Sequence, residues 1–233
     1  MARNDTIVNT RLLPEVLSRL EQHYGRREFK PRRDPLSGLI WTVLTQNTTD
    51  LTADRAYREM RRQLPTWEQV MNAPAKKVQA AIRVCGLHEQ KARTIQLFLK
   101  RLQSERGSLS LAFLKKMCPQ EASDWLTSSP GIGIKTAAVV LLFRMGMPLM
   151  AVDTHIRRVC GRVGLVPEGT AAAKTQQLLA AHVPSSAREC AQMHLDLIWL
   201  GRDICHARGP DCGQCPLLDI CRDARRRKVP GAD

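Results

Sequence analysis

The chain has 233 residues, 36 lysines and arginines against 22 aspartates and glutamates, and a formal net charge of +14. Hydrophobic residues make up 43% and charged residues 25%, an ordinary globular composition with enough apolar side chains for a core, in one large domain or two small ones. The charge favours a polyanionic partner. A membrane is a poor candidate, because the longest uncharged apolar run, Ala137 to Phe143, stops at Arg144. The opening Met1-Ala2-Arg3-Asn4-Asp5 has no signal-like apolar stretch, so a cytoplasmic protein is expected. Only 4% of residues are aromatic, which argues against a platform that stacks single strands and leaves duplex nucleic acid as the leading partner.

Leu12, Leu13, Val16, Leu17 and Leu20 share one face of a first helix that ends near Gly25. A basic connector follows, with Arg26, Arg27, Lys30, Arg32 and Arg33, and then Pro35. Leu36, Leu39, Ile40, Val43 and Leu44 form a second apolar face that closes near Gln46-Asn47. Asp50 is expected to N-cap a third helix in which Arg55, Arg58, Arg61 and Arg62 line one side. Thr66-Trp67-Glu68-Gln69 has capping-box spacing, and Pro74, Pro119, Pro130 and Pro148 sit where helices begin or break. No stretch alternates in the manner of a strand, so the fold class is all-α. The closing Arg225-Arg226-Arg227-Lys228 run is expected to be a mobile basic tail.

Residues 126–140 read LTSSPGIGIKTAAVV. Pro130-Gly131-Ile132-Gly133 stops the preceding helix and permits a tight turn, and a small-residue helix then starts near Ile134. Two glycines at a helix N-terminus let backbone N–H groups approach a phosphate, with the helix dipole favouring the anion. A plain helix–helix turn fits the same residues.

Eight cysteines in a cytosolic-looking chain are not read as four disulfides. Cys85, Cys118, Cys160 and Cys190 lie among apolar neighbours and are expected to be core thiols. Cys205, Cys212, Cys215 and Cys221 form a C-x6-C-x2-C-x5-C run, wrapped by Gly209, Pro210, Gly213 and Pro216. Such a set binds Zn²⁺ or an iron–sulfur cluster, and thiolate softness does not separate the two. His23, His88, His182 and His194 show no ligand spacing, and Trp199 is expected in the core with Leu195, Leu197 and Ile198.

PGIGIKTA, followed eighteen residues after its lysine by the aspartate of VDTHIRRV, resembles the helix-hairpin-helix base-excision DNA glycosylases, and within them the endonuclease III family. The resemblance runs from LIWTVLTQNTTD (Leu39 to Asp50) through the cysteine run, which matches the family's [4Fe–4S] loop. It implies a six-helix barrel over 35–148 with the hairpin at about 122–143, and an iron–sulfur domain made of 1–34 with 149–233. In that family the lesion pocket lies between the domains. The implied partner is double-stranded DNA containing damaged bases or abasic sites, bound by a monomer.

By the same resemblance Lys135 is the nucleophile and Asp153 the essential carboxylate. An amine that displaces a base at the anomeric carbon forms an iminium, which acidifies the neighbouring sugar carbon and permits β-elimination of the 3′ phosphate. An ionised aspartate can accept a proton and stabilise positive charge on the sugar. Gln46 matches the family's polar wedge and Leu87 its apolar wedge, while Pro130, Gly131, Gly133 and Arg208 fall at DNA-contacting positions, with His206 beside the last. The lysine separates the chain from the adenine-mismatch branch, which lacks it, and implies a bifunctional glycosylase and abasic-site lyase acting on damaged pyrimidines. A hydrolytic glycosylase and a catalytically weak lesion-sensing protein are the alternatives. Two departures from the family pattern, Ser129 before the Pro-Gly and Ile134 before the lysine, put the strength of the phosphate grip in doubt. Taken alone, Lys135 fits a phosphate-contacting lysine, Asp153 a simple N-cap, Gln46 a solvated loop residue and Leu87 a core leucine.

Overall fold

A computed structural model describes residues 9, 11–31 and 34–232. The first five residues and Arg32 and Arg33 of the basic connector lie outside the described residues. Among the described residues there are helices and no strands, and no helix is long and apolar enough to cross a membrane. The chain forms two compact units, one from residues 31–145 and one that joins 1–30 with 146–233.

The first helix, α1 (Leu13–Tyr24), belongs to the unit built from both ends. The 31–145 unit contains α2 (Pro35–Thr45), α3 (Asp50–Gln63), α4 (Trp67–Asn72), α5 (Ala75–Ala81), α6 (His88–Arg106), α7 (Pro119–Thr127) and α8 (Ile134–Met145), with short 3-10 turns at Arg83–Cys85 and Ala112–Lys116. Its axis is α2, which buries Leu36, Leu39, Ile40, Val43 and Leu44 and packs on α3, α6 and α8. Two of these partners are mostly apolar on the inner side. Ala137, Ala138, Val140, Leu141 and Leu142 come from α8, and Ile95, Phe98, Leu99 and Leu102 from α6. Burial of this apolar surface drives assembly of the unit.

Helix starts follow side-chain capping. The Thr66 hydroxyl and Gln69 make the expected reciprocal box at the start of α4. At α3 the cap is Thr49, whose hydroxyl accepts from Thr52 N at 3.2 Å, and Asp50 is instead the first helical residue. There its charge complements the positive end of the helix dipole, so both residues serve the same terminus. Cys118 departs further from expectation. It is exposed rather than buried, and its Sγ accepts from Glu121 N while the Glu121 carboxylate accepts from Cys118 N, a capping box at α7. The other three scattered cysteines are buried, and burial pushes the Cys160 and Cys190 thiols up to about 12.

The second unit holds α1 with α9 (Thr154–Val163), α10 (Ala172–Ala180), α11 (Ala187–Asp203) and α12 (Arg222–Arg226). Gly201 on α11 sits against His155 on α9 so closely that a Cβ there would lie 2.7 Å from His155 Cβ. Trp199 is exposed, not part of the core. Leu197 and Leu200 take the buried face of α11, and the Arg27 guanidinium lies 4.1 Å over the Trp199 ring while its Nε faces the buried Asp196. The C-terminal basic run is also ordered. Arg226 pairs with Glu168 and Asp223, Arg227 pairs with Asp223, and Arg225 Nε donates to Ala232 O at 3.0 Å. Three cations of a run that looks solvated in sequence are held here by carboxylates and backbone carbonyls of their own unit.

The α9–α11 crossing yields a stability prediction. Gly201→Ala overpacks a contact whose nearest atoms are a Cβ and backbone, and it should destabilise the protein by about 1–3 kcal/mol, read as a lower thermal midpoint at unchanged helix content.

Candidate functional site

The hairpin between α7 and α8 is a tight turn of residues 129–132. Ile132 N donates to Ser129 O at 3.1 Å, Pro130 holds the second position, and Gly131 the third at φ +84°. That is the residue pattern of a type II turn, whose third position requires positive φ. Glycine is demanded at 131 a second time, since a Cβ would run into the Thr94 side chain. Gly133 has a different environment: nothing lies within 4 Å of where its Cβ would be, so bare backbone faces open space just before α8. Lys135, the second residue of α8, is exposed, and Ile134 is an exposed apolar neighbour.

Ser129 is buried, and its Oγ accepts from Arg101 Nη1 at 2.5 Å. The same nitrogen donates to Trp125 O at 3.1 Å, and the guanidinium lies over the Trp125 ring and pairs with Glu105. The departure at 129 therefore comes with its own polar anchor, which fixes the turn from the α6 side.

Gln46 is drawn to the same hairpin. Its Nε2 donates to Gly131 O at 3.3 Å and to Thr136 Oγ1 at 3.2 Å. It is a hairpin-bound residue rather than a freely solvated one, and the next residue, Asn47, has φ 54°. Leu87 is no core leucine. It is 52% exposed and left-handed, at φ 47° and ψ 31°, immediately before α6. An exposed leucine held in that region is costly by about 1–2 kcal/mol and has no packing to explain it. Arg55 and Arg58 are exposed on α3, whereas Arg61 lies over the Trp67 ring and Arg62 pairs with Glu59.

In the other unit Asp153 caps α9, its Oδ1 accepting from Ile156 N at 2.8 Å. Among the described residues its Oδ2 has no partner, so half of the carboxylate remains available beside its structural task. The backbone leading to it is fixed by two residues that spacing alone did not single out. His194 Nδ1 meets Ala151 O at 3.0 Å, and Gln176 Oε1 accepts from Val152 N at 3.2 Å.

Cys205, Cys212, Cys215 and Cys221 line one cavity together with Leu200, Ile204, Leu218 and Ala224. Burial pushes the Cys215 thiol up to about 11, and the charges of the other three thiolates add to the rise. Among the described residues no three His, Cys, Asp or Glu side chains are close enough to hold a single metal ion. The loop is clamped to α9 by two arginines. Arg158 donates to Cys205 O at 2.8 Å and Gly201 O at 2.6 Å, and Arg162 to His206 O at 2.6 Å, Ala207 O at 2.9 Å and Cys205 Sγ at 3.4 Å. His206 thus lends its carbonyl to the clamp, and Arg208 stands exposed two residues on.

Residues 40–185 match the HhH-GPD superfamily base excision DNA repair protein family, more than half of the chain, and the protein belongs to that superfamily. It is similar to the endonuclease III of Bacillus subtilis (strain 168), 30% identical over 198 residues, 85% of each chain. A plant relative from Arabidopsis thaliana is 35% identical over 153 residues, which span 66% of this chain and 52% of that one. The solved structure of a trapped endonuclease III–DNA covalent intermediate matches with a TM-score of 0.78 at 27% identity, over 95% of this chain and 100% of that one. The protein is an endonuclease III-like DNA glycosylase.

The strain at Leu87 is testable by itself. Leu87→Gly removes the left-handed penalty and little packing, so it should raise stability by about 0.5–1 kcal/mol in urea unfolding; an unchanged or lower midpoint would remove strain as the reading of this residue.

Proposed function

We propose that the protein is a bifunctional glycosylase and abasic-site lyase that removes oxidised or damaged pyrimidines from duplex DNA. The observation that carries this reading is Lys135, an exposed amine two residues beyond the open backbone of Gly133. The pyrimidine preference rests on the likeness to endonucleases III. Pro130, Gly131 and Gly133 would seat a phosphate at the start of α8, Arg208 would meet backbone, and Gln46 and Leu87 would enter the duplex as the target nucleotide leaves the stack.

The chemistry needs one amine and one carboxylate. The neutral Lys135 Nζ forms a bond to the sugar C1′ as the C1′–N glycosidic bond breaks, and the base departs with that electron pair and takes up a proton. Opening of the sugar ring, with a proton moving to the released ring oxygen, leaves an iminium between Nζ and C1′. Loss of a C2′ proton then forms the C2′–C3′ double bond as the C3′–O bond breaks and the phosphate leaves. Asp153, with Oδ2 available, accepts the proton shed by the attacking amine and stabilises positive charge on the sugar.

The cysteine loop is assigned a [4Fe–4S] cluster. Its support is the four thiols around one largely apolar cavity, with the Arg162 guanidinium donating to Cys205 Sγ at 3.4 Å. When bound, the cluster supplies a rigid four-point cross-link that holds the loop. Arg158 and Arg162 then carry that rigidity into the helix that Asp153 caps.

Two measurements test these assignments. Borohydride should trap the native protein on abasic-site duplex, and Lys135→Ala should give no adduct; base excision that persists without any trap would show a hydrolytic glycosylase, and binding with neither activity a lesion sensor. Anaerobically purified protein should carry visible absorbance that bleaches on reduction, with iron and sulfide in equal amounts, and Cys212→Ser should diminish it. A colourless, zinc-containing preparation would overturn the cluster.

A further inference from the structure

The 31–145 unit buries one lysine that this mechanism does not use. Lys91, the fourth residue of α6, is 2% exposed. Its Nζ donates to Leu44 O and to Cys85 O, each at 2.8 Å. A buried ammonium is costly unless its donors are met, and here carbonyl dipoles from two separate segments meet them. Leu44 lies in the last turn of α2, where carbonyls have no partner within the helix, and Cys85 closes the 3-10 turn before α6.

The two carbonyls are placed alike. Leu44 precedes Gln46 by two residues, and Cys85 precedes Leu87 by two residues. Each segment turns through a left-handed residue just beyond its held carbonyl, Asn47 in one and Leu87 in the other. Gln46 also reaches Gly131 O and Thr136 Oγ1 of the hairpin. One ammonium thus ties the bases of both proposed duplex-entering loops, and one of those loops is tied in turn to the hairpin.

We infer that Lys91 is a positioning residue that fixes the spacing between the Gln46 and Leu87 loops, so that the two act as one clamp when the target nucleotide is extruded. The inference rests on the proposed roles of Gln46 and Leu87. Lys91 touches no reacting atom; it acts through backbone carbonyls. Displacement of a positioning group by about 1 Å can cost on the order of 100-fold in rate, so a loosened clamp has a measurable penalty.

The test compares two substrates that differ in their need for extrusion. An abasic site in duplex requires it, and an abasic site in a single-stranded oligonucleotide does not. Lys91→Met fills the same space without donors. It should lower kcat/KM on the duplex by about 10- to 100-fold and leave single-strand lyase activity within about twofold. In its background Leu87→Ala should add little further loss, because a loop no longer held contributes little. Lys91→Gln, which keeps a donor, should fall between native and Lys91→Met, and it replaces Lys91→Met in the comparison if that variant does not fold. Equal losses on both substrates, or losses at Lys91 and Leu87 that multiply independently, would overturn the inference. A separate readout guards against failure of the lyase reading itself. With 2-aminopurine beside an abasic site in duplex, native protein should raise emission on binding and the Lys91 variant should not, whether or not any covalent trap forms. Equal emission changes would again overturn it.

Discussion

A chain whose described residues form helices and no strands must find partners for the carbonyls left open at helix C-terminal ends, and at several of them side chains from neighbouring helices supply these partners. Lys91 reaches Leu44 O and Cys85 O, Gln96 reaches Val70 O and Ala73 O, Arg101 reaches Trp125 O, and Arg158 and Arg162 reach carbonyls of residues 201–207. Each open carbonyl would otherwise carry a desolvation cost of about 1–3 kcal/mol when buried. The solution has a structural by-product: a donor with several N–H groups joins several chain segments at a point. Loops that in another fold would be held by strand pairing are held here by such junctions.

These junctions fall on the segments proposed above to meet DNA or to hold the cluster. The hairpin turn is anchored through Ser129 and Arg101, the Gln46 segment through Lys91 and the hairpin, and the cysteine loop through Arg158 and Arg162. Strain is permitted in the same neighbourhoods. Asn47 and Leu87 are two of the three non-glycine residues with positive φ among those described, and both follow a carbonyl that Lys91 holds. Backbone in an unfavourable region persists only where its surroundings over-determine it.

Much of this was legible in the sequence, for identifiable reasons. Apolar periodicity and capping residues give the helices, because both are local signals, and the capping box at Thr66 and the cap at Asp153 stand where expected. The hairpin is legible because proline and glycine restrict backbone directly. What failed was inference about environment. Cys118 was expected inside on its neighbours, yet the local demand for an N-cap places it outside. Trp199 is expected in the core because large aromatics usually are, yet on α11 it stays exposed, met edge-on by the Tyr24 ring and overlaid by the Arg27 guanidinium. Lys91, Arg101 and Arg158 sit in polar helical stretches that read as solvent-facing, and nothing in a period of 3.6 residues reveals a distant carbonyl. Long-range polar contacts leave no local pattern, so they are the part of the site that only the fold discloses.

The ordered C-terminal run has a consequence for how this protein meets a polyelectrolyte. Arg225, Arg226 and Arg227 are engaged by carbonyls and carboxylates of their own unit, Arg27 is turned toward Asp196, and Arg158, Arg162 and Lys91 face inward. The number of condensed counterions a protein displaces from DNA follows the cations that reach phosphates, not its formal charge. Pairs such as Arg226 with Glu168 already cancel within the net charge of +14, but Lys91 and Arg158 are held inward by backbone carbonyls and still count in it, so this chain would release fewer ions on association than +14 suggests, and its grip on duplex would fade more gently as ionic strength rises.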